Sequence, residues 1–244
     1  MNMIMLAASF FAVVAAQEIA PLNGVSREKE TLPRWSWEGR HGKFMEQIAN
    51  GEKEYDIVFV GDSITELMLD GNRGGREPFD EAYGDLKTLN LGIIGDRIEN
   101  VLWRLEHGEL DGYKAKVFRV LLGTNNIPKR WTPERLAAGV GQIVAMIREK
   151  HPESKIEILS ILPRNDRKCP KDGMQRIKAA NALYAQLSDG ESVFFVDATG
   201  LFLNEDGSVK SELFKDGLHP NPEGYRVLFG KEKPVQIRLM GKHG

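Results

Sequence analysis

The chain has 244 residues, 41% hydrophobic and 28% charged, with a net charge of −2 at pH 7. That length suits one domain with a substantial core, and the charge gives no electrostatic argument for nucleic acid or an anionic membrane surface. A single cysteine, Cys169, excludes an intrachain disulfide and a thiolate metal cluster.

Residues 1–16 read as a signal peptide. The apolar run from Met3 ends in Val14-Ala15-Ala16, a small-residue cleavage pattern before Gln17. The run is shorter than the about 20 apolar residues of a membrane span, so no stable membrane insertion is expected. No Lys or Arg precedes it, and a buried N-terminal helix is the competing reading. Export to a periplasm or beyond the cell is the expectation. Residues 17–55 form an N-terminal arm and helix. The arm is polar and irregular as far as residue 34, and the helix runs from His41 to Asn50, with Phe44, Met45 and Ile48 at helical spacing.

Residues 56–244 carry a regular alternation. Strands are expected at Ile57–Val60, Thr88–Leu91, Lys116–Leu122, Ile156–Ile161 and Val193–Val196, mostly continuous apolar runs of the kind covered on both faces. Between them, Ile98, Val101, Leu102 and Leu105 form a helical stripe that Asp96 is placed to cap, with Glu99 completing a capping box. Thr132-Pro133 opens a helix to about Lys150, another runs from about Met174 to Leu187, and the stretch after Pro222 is helical until Lys233-Pro234 interrupts it. Alternating strand and helix implies a parallel sheet in a three-layer α/β domain.

Four strand ends carry the chemistry. Gly61-Asp62-Ser63 follows the first strand and starts a helix, where backbone N–H groups favour developing negative charge. A serine there either acts as a nucleophile or simply caps the helix. Gly92-Ile93-Ile94-Gly95-Asp96 and Gly123-Thr124-Asn125-Asn126 follow the next two strands, offering the Gly95 N–H and the Asn125 amide as donors to an oxyanion. Their ordinary role would be turn formation. Asp216-Gly217-Leu218-His219 presents a carboxylate and an imidazole from one turn, a base and its orienting partner. His41, His107, His151 and His243 lack such a carboxylate turn. In a parallel sheet Ser63, Gly95 and Asn125 all fall at the carboxyl edge, where ligands bind.

These blocks resemble the SGNH (GDSL) hydrolase superfamily, in a pattern nearest to the catalytic subunits of platelet-activating-factor acetylhydrolase type I. The resemblance spans about Asp56 to Tyr225 and includes Val60-Gly61-Asp62-Ser63-Ile64-Thr65, Leu89-Asn90-Leu91-Gly92, Val101-Leu102-Trp103-Arg104-Leu105, Gly108-Glu109-Leu110, Gly123-Thr124-Asn125-Asn126 and Leu162-Pro163-Arg164. It implies a flavodoxin-like fold with a five-stranded parallel sheet. It makes Ser63, Asp216 and His219 catalytic, with an oxyanion hole from Ser63, Gly95 and Asn125 and no cofactor or metal. Two residues depart from the pattern: Ile94, which would narrow the acyl site, and Arg119, which interrupts the otherwise apolar third strand.

The expected activity is a serine esterase acting on short acyl, foremost acetyl, esters of small molecules or glycans. O-acetylated carbohydrate leads, given export and the possibility that Trp35, Trp37 and Trp131 border a sugar cleft rather than cover core edges. Phospholipid, lysophospholipid or platelet-activating-factor-like esters are the alternative within the enzyme class. A non-catalytic carbohydrate- or lipid-binding protein that keeps the fold is the alternative outside it. Gly71–Gly75 and Asn204–Gly207 are read as turns rather than nucleotide or calcium loops.

Overall fold

A computed structural model describes residues 20–27, 31–32 and 35–241. The expected signal segment and His243 lie outside the described residues, as does the side chain of Trp35. The strands are β1 (Glu54–Gly61), β2 (Thr88–Gly92), β3 (Lys114–Leu121), β4 (Lys155–Leu159) and β5 (Val193–Val196). All pair in parallel, in the order β2-β1-β3-β4-β5. This is the flavodoxin-like order, with its switch point between β1 and β3.

Alternate residues of the strands feed two cores. Val58, Val60, Phe118, Val120, Ile156 and Ile158 face one layer, while Ile57, Phe59, Val117, Leu121 and Leu159 face the other. The first layer holds α1 (Trp37–Asn50), α4 (Ile98–Arg104), α5 (Pro133–Lys150) and α6 (Gly173–Ala185). The second holds α3 (Arg76–Tyr83) and α7 (Pro222–Leu239), which pack on each other through Phe79, Tyr83 and Phe229. Burial on both faces is why the strands read as unbroken apolar runs rather than as alternating ones.

Local signals set several boundaries. The Thr132 side chain accepts from the Arg135 N–H and Pro133 opens α5, a cap whose loss costs about 1 kcal/mol. Helix α1 begins at Trp37, earlier than its apolar spacing predicts, because Ser36 caps it through the Gly39 N–H. The segment before it includes a two-residue strand pair, Thr31–Leu32 with Trp35–Ser36.

Two expectations are corrected, and one departure from the pattern is explained. Helix α7 runs straight through Pro234: Asn221 caps it, and Leu228, Phe229, Glu232 and Gln236 keep one face buried across the proline, so tertiary packing outweighs the lost backbone bond. Asp96 does not cap α4. Arg97 is the N-cap residue, the Asn100 side chain accepts from its N–H, and Asn126 Oδ1 from the neighbouring loop accepts from the Ile98 N–H. Arg119, the polar residue in the otherwise apolar third strand, lies within β3 as expected, its guanidinium buried on Glu232 Oε1 at 2.7 Å and Thr65 Oγ1 at 3.1 Å.

Candidate active site

The carboxyl ends of β1, β2 and β3 deliver the three loops that the sequence singled out. After β1, Asp62 caps the one-turn helix α2 (Ser63–Glu66), its Oδ1 accepting from the Ile64 N–H at 2.9 Å. Burial pushes the Asp62 carboxyl up to about 7, against the lowering pull of the Ile64 N–H. Asp62 is thus the capping residue, and the Ser63 hydroxyl is left for other partners. Its own N–H occupies the first helical position, where no intrahelical acceptor exists.

Ser63 Oγ meets His219 Nε2 at 2.9 Å, although the two are 156 residues apart. His219 Nδ1 lies 2.7 Å from Asp216 Oδ2. The other carboxylate oxygen accepts from the His219 and Leu218 N–H groups at 2.8 and 3.1 Å, so one tight turn orients acid and imidazole together. Burial alone would raise the Asp216 carboxyl, yet these N–H groups and the imidazole hold it below its ordinary range. Gly217 makes that turn with φ of 78°, and a Cβ there would sit 2.4 Å from Asn165 Oδ1, so the position requires glycine. The Asn165 N–H in turn bonds the Gly217 carbonyl at 2.9 Å, fastening the turn to the loop after β4.

The two candidate oxyanion donors, Gly95 and Asn125, lie on the other two loops. Gly95 has φ of 79°, in the left-handed region. Asn125 lies in the loop after β3, and one proton of its amide goes to the Asp96 carbonyl at 2.9 Å, which fixes the amide plane beside Gly95. Arg164, buried after β4, supports that loop by donating to the Thr124 carbonyl at 2.7 Å. Ile94, beside Gly95, is 38% exposed, and its N–H donates to Glu66 Oε2 at 2.6 Å.

Behind this loop runs a buried chain of charges that the sequence did not reveal. Asp96 accepts from Trp37 Nε1 at 2.7 Å, Arg27 Nη1 at 2.8 Å and Arg104 Nε at 2.9 Å. Arg104 also donates to Glu109 and to the Leu91 carbonyl, and Glu109 pairs with His41 Nδ1 at 2.8 Å. Arg104 left one signal in the sequence: it is an arginine inside the apolar stripe of α4. Arg27 left none.

The remaining predicted features take structural places. Trp37 is fully buried and Trp131 nearly so, with the Arg135 guanidinium 4.0 Å from the Trp131 ring centre. The His107 ring stacks on Trp103, and His151 bonds the Leu110 carbonyl. Gly207 closes a turn on Asn204. Among the described residues no group of three or more His, Cys, Asp or Glu is placed to hold a metal ion, and no helix is long and apolar enough to cross a membrane.

The chain is similar to known proteins over most of its length. The GDSL-like Lipase/Acylhydrolase family matches residues 59–227. The human platelet-activating factor acetylhydrolase IB subunit alpha2 is 35% identical over 204 residues, covering 84% of this chain and 83% of the relative. A solved structure from Streptococcus pneumonia superposes with a TM-score of 0.70 at 27% identity, covering 82% of this chain and 92% of the other. A GDSL-like lipase from Bacteroides thetaiotaomicron shares the fold, with a TM-score of 0.68 at 20% identity over 81% of this chain and 97% of its own. The chain therefore belongs to the GDSL-like lipase/acylhydrolase family, and that membership implies ester hydrolysis.

Proposed function

We propose that the protein is a serine esterase in which Ser63 is the nucleophile, His219 the general base and Asp216 its orienting partner. The observation that carries this reading is the unbroken hydrogen-bonded line Ser63–His219–Asp216 at the carboxyl edge of the sheet. His219 takes the Ser63 proton as Oγ attacks the ester carbonyl. The oxyanion is received by the N–H groups of Ser63 and Gly95 and the Asn125 amide. The imidazolium then protonates the departing alcohol, and water, deprotonated by the same imidazole, releases the acid from the acyl-enzyme. Asp216 suits its role because its lowered carboxyl stays ionised beside the imidazolium that forms.

The acyl group we propose is acetyl, the group in the name of the acetylhydrolase relatives. Export remains part of the proposal. It supports O-acetylated carbohydrate as the alcohol side, although buried Trp37 and Trp131 no longer supply aromatic walls for a sugar. A lipid acetyl ester is the second reading. It is favoured by Val25, Leu69 and Ile94, the exposed large hydrophobic side chains among the described residues, which lie on the arm, after the nucleophile helix and beside Gly95. Wild type should take a fluorophosphonate at Ser63 and the Ser63→Ala variant should not. An unlabelled, folded wild type would favour a binding protein. Acetate release from acetylated xylooligosaccharide against an acetylated lipid then separates the two alcohol classes.

A further inference from the structure

Resting on the esterase reading, we propose that Arg27, on the N-terminal arm, is a positioning residue for the Gly95 oxyanion donor. The arm is docked rather than loose. The Leu22 N–H donates to Gln142 Oε1 at 3.0 Å, the Val25 N–H to the Glu99 carbonyl at 2.8 Å, and Asn100 Nδ2 to the Val25 carbonyl at 2.8 Å. Gly24 lies so close to α4 that a Cβ there would meet the Trp103 backbone at 2.8 Å and Glu106 Oε2 at 2.5 Å.

This docking delivers Arg27 to one peptide unit. Its Nη1 donates to the Ile94 carbonyl at 3.0 Å and to Asp96 Oδ1 at 2.8 Å, and the guanidinium lies over Gly95, 3.2 Å from where a Cβ would stand. The Ile94 carbonyl and the Gly95 N–H belong to the same planar trans peptide, so they point in opposite directions. A donor that grips the carbonyl from behind fixes the direction of the N–H in front. It also polarises the peptide and strengthens that N–H as a donor. Gly95, lacking a Cβ and holding a positive φ, would otherwise let the peptide rotate at little cost. The guanidinium is 9% exposed and shares Asp96 with the buried Arg104, so its position is anchored from two sides.

The test compares wild type with Arg27→Ala, Arg27→Lys and Gly24→Val on an activated acetyl ester. Arg27→Ala should lose about tenfold or more in kcat with KM within about twofold, because a misdirected donor acts on the transition state. Millimolar guanidinium should restore part of that loss, and Arg27→Lys should fall between the two. Gly24→Val, which displaces the arm without touching Arg27, should show the same kcat loss. If Arg27→Ala keeps wild-type kcat in an active enzyme, or loses only in KM, the inference is overturned and the esterase reading stands. If wild type neither hydrolyses the ester nor takes a fluorophosphonate at Ser63, the esterase reading itself fails, and this inference with it.

Discussion

The two faces of the sheet bury charge in opposite ways. On the face that carries α1 and α4, Arg104 is fully buried, and each of its three nitrogens donates to an acceptor on Asp96, Glu109 or a strand carbonyl. On the face that carries α3 and α7, Arg119 sits beside Glu157 on the adjacent strand and bonds Glu232 on α7. There Arg119 Nη2, both Glu157 oxygens, Glu232 Oε2, both ends of Gln236 and the Tyr83 hydroxyl are buried without a hydrogen-bond partner among the described residues. Complete partnering can fix a geometry; incomplete partnering favours neutral forms. The complete network is the one that backs the Gly95 loop.

Removing the hub of the complete network gives the largest expected effect. Arg104→Met leaves Glu109 buried without its guanidinium and Asp96 with one cation fewer, and breaking a buried pair in this way costs about 3–5 kcal/mol. Urea unfolding of the two proteins measures it. A loss below about 1 kcal/mol would mean the network contributes little to the fold.

The next effect lies at the front of the same network. Asn125 donates to the Asp96 carbonyl, so its amide is held by the loop whose carboxylate Arg27 and Arg104 fix. Asn125→Ala should lower kcat by about 10²–10³, as removal of one oxyanion donor does, while the urea midpoint changes little. Steady-state kinetics beside an unfolding curve decide it. Near-wild-type turnover would remove Asn125 from the mechanism.

The contrast between the faces also explains what the sequence could and could not reveal. The strands were legible because burial on both sides leaves a contiguous apolar signature, and α5 because Thr132 and Pro133 act on their own helix. Ser63, Gly95, Asn125, Asp216 and His219 were legible because each ends a strand or makes a turn within a few residues. The supporting charges were not. Asp96 followed by Glu99 reads as a local capping box, yet its partners Arg27 and Trp37 lie 69 and 59 residues away. Arg119 looks like a fault in a strand until α7 supplies Glu232, 113 residues on. Long-range pairing of this kind leaves no mark on the local pattern, and Pro234 misleads for the same reason.

The last effect is a change of slope rather than a fixed loss, and it tests the incomplete network through pH. Burial pushes the Glu157 carboxyl up to about 8, with the nearby Glu232 adding to the rise and Arg119 opposing it. An unfolded glutamate titrates near 4.3. Between about pH 5 and pH 8 the native protein therefore binds a proton here that the unfolded chain has released. Stability contributed at this site is full at low pH, falls as pH rises through that window, and levels off above about 8. Glu157→Gln keeps the shape of the protonated side chain and cannot ionise. It should match wild type near pH 5 and exceed it increasingly as pH rises toward 8, since the variant does not have to carry a poorly compensated buried charge. Urea midpoints at pH 5, 7 and 8.5 give the slope directly. Parallel slopes for the two proteins would show that Glu157 is ionised in the fold and that Arg119 serves both carboxylates. The two faces would then differ in geometry alone, not in charge state.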